Sequence, residues 1–260
     1  PQPRSLLAFA ALHEGVLVDE GAGLGVHAGD ELLELARLDP PLPASADLDG
    51  GQLAASHQRV DLGAGGVEDL RDVGEGEEAD SIYEVVGGTL RLCKLLPDGR
   101  RQIVGFASAG HLLGLAPEGT YVYSAEAITD VTLCRYPRAS FDRLVDSVPG
   151  LARRLWAVTA DELRFAQDQL LLLGRKNATE RVASFLLLLA EQQASEADVS
   201  IPMTRSDIGD YLGLTIETVS RTLTKLRRHK VIALPAADRA TILDREGLET
   251  LASGANDTDA

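Results

Sequence analysis

Two cysteines in 260 residues, Cys93 and Cys134, are too few for a disulfide framework and suit a chain that works in a reducing cytosol. No apolar run approaches the length of a membrane span, and the stretch from Ser5 to Leu12 behind Arg4 lacks the flanks of a secretory signal. The groupings that carry enzymatic chemistry are missing as well. There is no P-loop, no metal-ligand spacing and no nucleophile set beside a base. The five histidines, at 13, 27, 57, 111 and 229, are scattered, as surface or loop histidines are. The sequence points to no enzyme and to no metal site.

A second absence is regional. Residues 1–75 contain no Ile, Lys, Asn, Thr, Tyr, Met, Trp or Cys, and Ala, Gly, Leu and Asp recur there without clear periodicity. One segment, Asp30 to Leu38, has the leucines of a short helix, which Pro40 to Pro43 would end. Two readings stand for this part: an acidic Gly/Ala arm without a core, or the product of a shifted reading frame in a GC-rich gene.

The remainder is ordinary for a globular protein, at 45% hydrophobic and 25% charged residues overall, and is long enough for two domains with cores of their own. The net charge of −15 argues against a polyanionic partner only until it is divided. Residues 1–80 hold 17 Asp and Glu against 4 Arg, whereas residues 204–232 hold 6 Arg and Lys against 3 acids. A local basic face is what phosphate binding requires.

That basic stretch, TRSDIGDYLGLTIETVSRTLTKLRRHKVI, carries the chemistry. Thr204 is an N-cap, followed three residues on by Asp207. Ile208, Tyr211 and Leu212 form one apolar stripe, and Gly213 supplies the left-handed turn between two closely crossed helices. The second helix, capped by Thr215, turns Val219, Leu223 and Leu226 inward. Glu217, Thr218, Ser220, Arg221, Thr224 and Lys225 face outward. In a helix-turn-helix the leading turns of the second helix enter the major groove. A carboxylate there accepts from cytosine N4, a guanidinium bonds guanine O6 and N7, and a serine hydroxyl suits either role. Candidate DNA-binding residues are therefore Glu217, Ser220 and Arg221 at base edges, with Thr204, Thr215, Thr218 and Lys225 around them.

Upstream, residues 76–148 alternate apolar and polar residues in short runs punctuated by Gly and Asp, which predicts an antiparallel barrel or roll. Pro97-Asp98-Gly99 predicts a hairpin, and a further strand pair is expected around Tyr121–Ile128 and Val131–Tyr136. Residues 149–174 predict one long helix, with Ser147 as cap, Pro149 in the first turn and Gly174 at the end. Trp156, Thr159, Leu163, Ala166, Leu170 and Leu173 recur at three- and four-residue spacing, a coiled-coil seam. Leu151, Leu155, Val158, Phe165 and Leu172 form a second stripe toward the roll. Residues 175–260 predict a winged helix-turn-helix: a helix with Val182, Phe185, Leu186 and Leu189 inward, the two helices above, and a hairpin of Val231–Leu234 with Ala240–Leu243. The fold class is α+β.

The run ETVSR ahead of an apolar and basic helix, with YEVVGGTLRL, DGRRQIVGF and SAEAITDVTLCRYPR in order before it, resembles the Crp/Fnr family of transcription regulators. The Glu-x-x-Ser-Arg form is similar to its Fnr and FixK branch. The resemblance implies a β-roll sensor-like domain, a dimerisation helix pairing with its copy, and a cytoplasmic homodimer, acting as an activator that contacts RNA polymerase. It also implies a TTGAT-like palindrome, with Glu217 and Arg221 at the G·C pair and Ser220 beside it. Cyclic-nucleotide-binding members carry a Gly-Glu-Leu turn and an Arg-Ser or Arg-Thr pair. Here Gly114-Leu115 and Tyr123-Ser124 stand instead, and a buried phosphate would lack its guanidinium. Oxygen-sensing members hold a [4Fe-4S] cluster through three N-terminal cysteines and one in the roll. Cys134 stands at the roll position, either as that ligand or as a small buried apolar residue, and the other three are absent. No cofactor is expected. The alternative is an oxygen- or ligand-gated regulator whose cluster ligands are missing from this amino terminus.

Overall fold

The computed structural model describes residues 58–62, 73–115, 119–148 and 150–254. The remaining residues, including most of 1–75 and the expected helix at Asp30–Leu38, lie outside the described part.

Seven strands build the roll: β1 Gln58–Leu62, β2 Ser81–Gly87, β3 Leu90–Leu95, β4 Arg101–Ala107, β5 Leu112–Leu113, β6 Ser124–Ala127 and β7 Val131–Pro137. They form two antiparallel sheets, in the orders β1-β7-β2-β5 and β4-β3-β6. Alternating side chains from both, among them Tyr83, Val85, Leu90, Leu113 and Leu133, fill the space between, joined by Tyr121 from the segment before β6. The hairpin at Pro97-Asp98-Gly99 is as expected. Leu96 N–H donates to Arg100 O at 2.8 Å, the Asp98 carboxylate accepts from Arg100 N–H at 3.1 Å, and Gly99 takes φ +81°.

The runs before and after Asp130 do not pair with each other, because β6 pairs with β3 and β7 with β2 and β1. The chain changes sheet between them. And within the stretch read as an arm, Gln58–Leu62 pair along β7 from Gln58 opposite Arg135 to Leu62 opposite Val131. Five residues without helical periodicity gave no sign of this, since a single edge strand is defined by its partner.

Helix α1 (Arg138–Ser147) follows β7 directly and buries Phe141 and Leu144. The sequence reading had no helix here. The 25-residue helix α2 then spans Leu151–Arg175. Its first turn lacks the expected cap. Ser147 ends α1 instead, its hydroxyl donating to Leu144 O at 3.2 Å, and the N-cap of α2 is Gly150 at φ +93°. Gly174 does not end α2; the chain leaves the helix at Lys176, which is extended. Of the stripe expected to face the roll, Leu151 and Leu172 are buried and Leu155, Val158 and Phe165 half-buried. Among the described residues no helix is long and apolar enough to cross a membrane.

Helix α3 (Ala178–Gln192) starts in a capping box of Asn177 and Glu180 and buries Val182, Phe185, Leu186 and Leu189. Strand β8 (Asp198–Ser200), helices α4 (Arg205–Leu212) and α5 (Ile216–Arg228), strands β9 (Ile232–Ala236) and β10 (Arg239–Ile242), and helix α6 (Arg245–Ser253) complete the chain. The wing is a three-stranded sheet, β8-β10-β9, rather than a lone hairpin.

The roll and the carboxy-terminal helices share one apolar core. Cys93 and Ile103 from β3 and β4 belong to the same buried cluster as Phe185, Ile208, Tyr211 and Val219. The rings of Phe106 and Tyr211 lie 5.2 Å apart and those of Phe185 and Tyr211 5.7 Å, in the tilted arrangement that aromatic pairs favour. At the edge of this core Asp207, 1% exposed, accepts from Arg91 at 3.0 Å and Arg101 at 2.9 Å. It also accepts from the Thr204 hydroxyl at 2.7 Å. Burial pushes this carboxyl up, but the Thr204 bonds and the two guanidinium charges outweigh it and hold it below the usual carboxylate value.

Two predictions follow from this packing. A carboxyl lowered in the folded state stabilises above its unfolded pKa, and that stability is lost as pH falls through the folded value. Asp207→Asn is therefore expected to lower stability at neutral pH by about 1.5–3 kcal/mol, the range for hydrogen bonds to charged groups. The deficit should shrink as pH falls below about 4, read from urea unfolding at a series of pH values. At Gly209 an added Cβ would lie 2.6 Å from Leu214 O, a backbone atom that cannot swing away. Gly209→Ala should cost about 1–3 kcal/mol by overpacking, seen as a lowered midpoint in thermal unfolding.

Candidate nucleic-acid interface

Helix α4 begins as its sequence predicts, with a capping box of Thr204 and Asp207, and ends at Gly213 with φ +62° and ψ +41°. Ile208, Tyr211 and Leu212 are buried. The close approach at Gly209 lets Leu214 N–H donate to Gly209 O at 3.0 Å, so the turn is short and α5 leaves at a fixed angle. Thr215 caps α5 by accepting from Thr218 N–H at 3.3 Å.

The apolar face of α5 is Val219, Leu223 and Leu226, as expected, joined by Thr222, which the sequence reading did not place inside. Glu217, Ser220, Arg221 and Lys225 are exposed, while Thr218 and Thr224 are half-buried. Arg221 donates to the Thr218 hydroxyl at 3.3 Å, and Thr218 shares a 3.1 Å bond with Thr215. Thr215, Thr218 and Arg221 thus form one connected polar edge. The Thr204 hydroxyl is committed to its cap. The Glu217 carboxyl is held below its usual value by its own backbone N–H and the Thr215 hydroxyl, with Arg221 nearby. It is an ionised acceptor at neutral pH.

Two features of this surface were missed. Ser220, Arg221 and Lys225 line a recess together with Arg228 and His229, two residues further along the same face than the leading turns alone suggested. Arg205, first in α4, donates to Ala237 O of the wing turn at 3.3 Å, and its Nη1 is buried with no hydrogen-bond partner among the described residues. Its place as a cation one residue after the cap was the available signal. Lys176, by contrast, is tied to Ser184 at 2.7 Å.

On α2, Trp156, Leu163 and Leu170 are 77%, 60% and 72% exposed, and Thr159 and Ala166 are exposed with them. Leu173 differs from the rest of this expected seam, being half-buried against the carboxy-terminal core. Thr159 also reaches the rim of a cavity of about 290 Å³ between α2 and the roll, where Gly114, Leu115, Tyr121, Tyr123 and Glu162 meet. Among the described residues lining it none is Lys or Arg. Arg138, close to the Gly114 turn, donates to Ala79 O at 2.7 Å and to Gly114 O.

Cys134 is buried with Ile82, Tyr136 and Phe141, opposite the buried Glu84 of β2. A [4Fe-4S] cluster takes about four thiolates, and the chain has two cysteines; its residues do not fit that group. Among the described residues no group of three or more His, Cys, Asp or Glu could hold a metal ion.

Comparison with known proteins bears on this surface. A model of the Crp-like helix-turn-helix domain matches residues 180–251, and one of the cyclic nucleotide-binding domain residues 73–148. The transcriptional activatory protein AadR of Rhodopseudomonas palustris is 48% identical over 183 residues, 69% of this chain and 76% of AadR. The nitrogen fixation regulation protein FixK of Bradyrhizobium diazoefficiens is 50% identical over 178 residues, 66% of this chain and 74% of FixK. The solved structure of FixK2 from Bradyrhizobium japonicum superposes with a TM-score of 0.70 at 41% identity, covering 75% of this chain and 96% of that one. The chain belongs to the Crp/Fnr family of DNA-binding transcription regulators, in the FixK and Fnr branch, and not to a family of enzymes.

Proposed function

We propose that the protein is a homodimeric, cytoplasmic activator that reads a TTGAT-like palindrome, two copies of α5 entering successive major grooves. The observation that carries this reading is that Glu217, Ser220 and Arg221 share one exposed edge at the start of α5, with Val219 and Leu223 buried behind them. Arg221 bonds guanine, Glu217 accepts from the cytosine paired with it, and Ser220 meets the neighbouring base. Thr215, Thr218 and Lys225 surround that edge and serve the backbone phosphates, which position without specifying; Thr204, whose hydroxyl is taken by Asp207, acts only by starting α4. Contact with RNA polymerase, through the surface left free on DNA, completes the activator.

The second copy comes through α2. Trp156, Leu163 and Leu170 expose large apolar side chains along one stripe of a helix whose opposite stripe is already packed, and an unpaired stripe of this size is what a coiled-coil partner covers. A two-fold axis along it places two recognition helices for half-sites about 34 Å apart. The reading in which a ligand gates binding rests on the cavity beside α2. A cyclic nucleotide is a poor occupant, since among the described residues lining the cavity its phosphate would meet Glu162 and His111 but no guanidinium or ammonium.

The test is a titration of TTGATNNNNATCAA against a scrambled duplex at stated salt. Arg221→Ala is expected to cost about 1–3 kcal/mol on the palindrome and to relax preference at the guanine; an equal loss on both duplexes contradicts base reading. Leu163→Glu is expected to shift the sedimenting species from dimer to monomer and to abolish binding to the full palindrome. Retention of the parent's mass would refute the seam.

A further inference from the structure

Helix α4 carries none of the proposed base contacts, yet other parts of the chain grip it at both ends. On its side chains, Arg101 of β4 donates to Asp207 at 2.9 Å and to Asp210 at 2.8 Å, and Arg91 of β3 reaches Asp207 at 3.0 Å. Glu126 of β6 lies 2.7 Å from Arg91 and 3.5 Å from Arg101, holding the two guanidinium groups in line. Its last carbonyls are taken one by one. Asp210 O accepts from Gln102 of β4 at 2.6 Å, Tyr211 O from Gln169 of α2 at 3.2 Å, and Leu212 O from Arg181 of α3 at 2.8 Å.

From this we infer that Arg101 and Gln102 on the roll are positioning residues for DNA recognition: they set the direction in which α5 is presented, without touching DNA. α4 and α5 move as one body, because the Gly209–Leu214 approach and the Gly213 turn leave no slack between them. The orientation of α4 is in turn set by directional bonds from β4 rather than by apolar packing alone, which tolerates sliding. A guanidinium fork that engages two carboxylates fixes rotation as well as distance. The side chains of Arg101 and Asp210 are 27% and 31% exposed, so this pair, unlike the Arg101 bond to buried Asp207, adds little to global stability. Losing the pair should change where the recognition helices point more than whether the chain folds.

The inference rests on the dimeric palindrome reading, and the experiment separates the two. Full-length parent, Arg101→Glu, Asp210→Arg and the doubly substituted chain are titrated on palindromes whose half-sites are separated by the parental spacer, one base pair fewer and one more. Unfolding midpoints are recorded alongside. The parent is expected to prefer one spacing; a parent indifferent to spacing overturns the palindrome reading and this inference with it. Asp210→Arg should flatten that preference by about tenfold, within the coupling found between contacting residues, with the midpoint little changed. Arg101→Glu, which also removes a partner of buried Asp207 and faces Glu126, should flatten it with a lowered midpoint, and the double substitution should recover part of the preference lost in Arg101→Glu. Gln102→Leu, which removes the bond to Asp210 O and leaves every charge in place, should flatten it in the same direction. It carries the test if a charge reversal fails to fold. Spacing preference unchanged in Asp210→Arg and Gln102→Leu, or a double substitution no better than Arg101→Glu, overturns the inference while leaving base reading intact.

Discussion

The carboxylate of Asp207 is the point on which the arrangement turns. It closes the capping box that starts α4, and it is the acceptor for two guanidinium groups more than a hundred residues earlier in the chain. A buried charge is tolerated only when it is paired and hydrogen-bonded, and Asp207 has its partners from both domains at once. Local helix initiation and the docking of roll on DNA-binding domain are thereby satisfied by one side chain. The apolar layer of Ile103, Phe106, Phe185 and Tyr211 behind it supplies area, and the charged rim supplies direction.

The distribution of charge explains how an acidic chain can serve a polyanion. The excess of acid lies in residues 1–80, whereas Arg221, Lys225, Arg227 and Arg228 lie along α5 and Arg205 stands near the wing. Glu217 is the exception on that surface. Its carboxyl is held below its usual value by its own N–H and by Thr215, and in the proposed reading it is the acceptor among cations that would serve phosphate. A repulsive group at the leading edge weakens non-specific attachment and leaves affinity to the sites that can satisfy it, which is how specificity is commonly gained.

The relation of α2 to its two faces follows the same logic of unfinished pairing. One stripe is closed by the roll and the carboxy-terminal core; the other exposes Trp156, Leu163 and Leu170. Thr159 stands between, on the seam and at the rim of the roll cavity. An occupant of that cavity would press on a residue of the proposed interface.

What could be read from the residues alone was what depends on neighbours in sequence. The caps at Thr204 and Thr215, the turn at Gly213, the apolar faces of α3, α4 and α5 and the hairpin at Asp98-Gly99 are set by hydrogen bonds and periodicities spanning a few residues, so their signals are complete within a short window. The exposed edge of α5 was legible for the same reason. Tertiary structure alone decided the rest. That β6 and β7 lie in different sheets, that Gln58–Leu62 form an edge strand on β7, that β8 completes the wing, and that Arg91, Arg101 and Gln102 grip α4 are all matters of long-range pairing. In a strand or a surface arginine the sequence specifies only what a residue can bond; which partner it meets is determined by chain closure over many residues, and that information resides in the packed molecule.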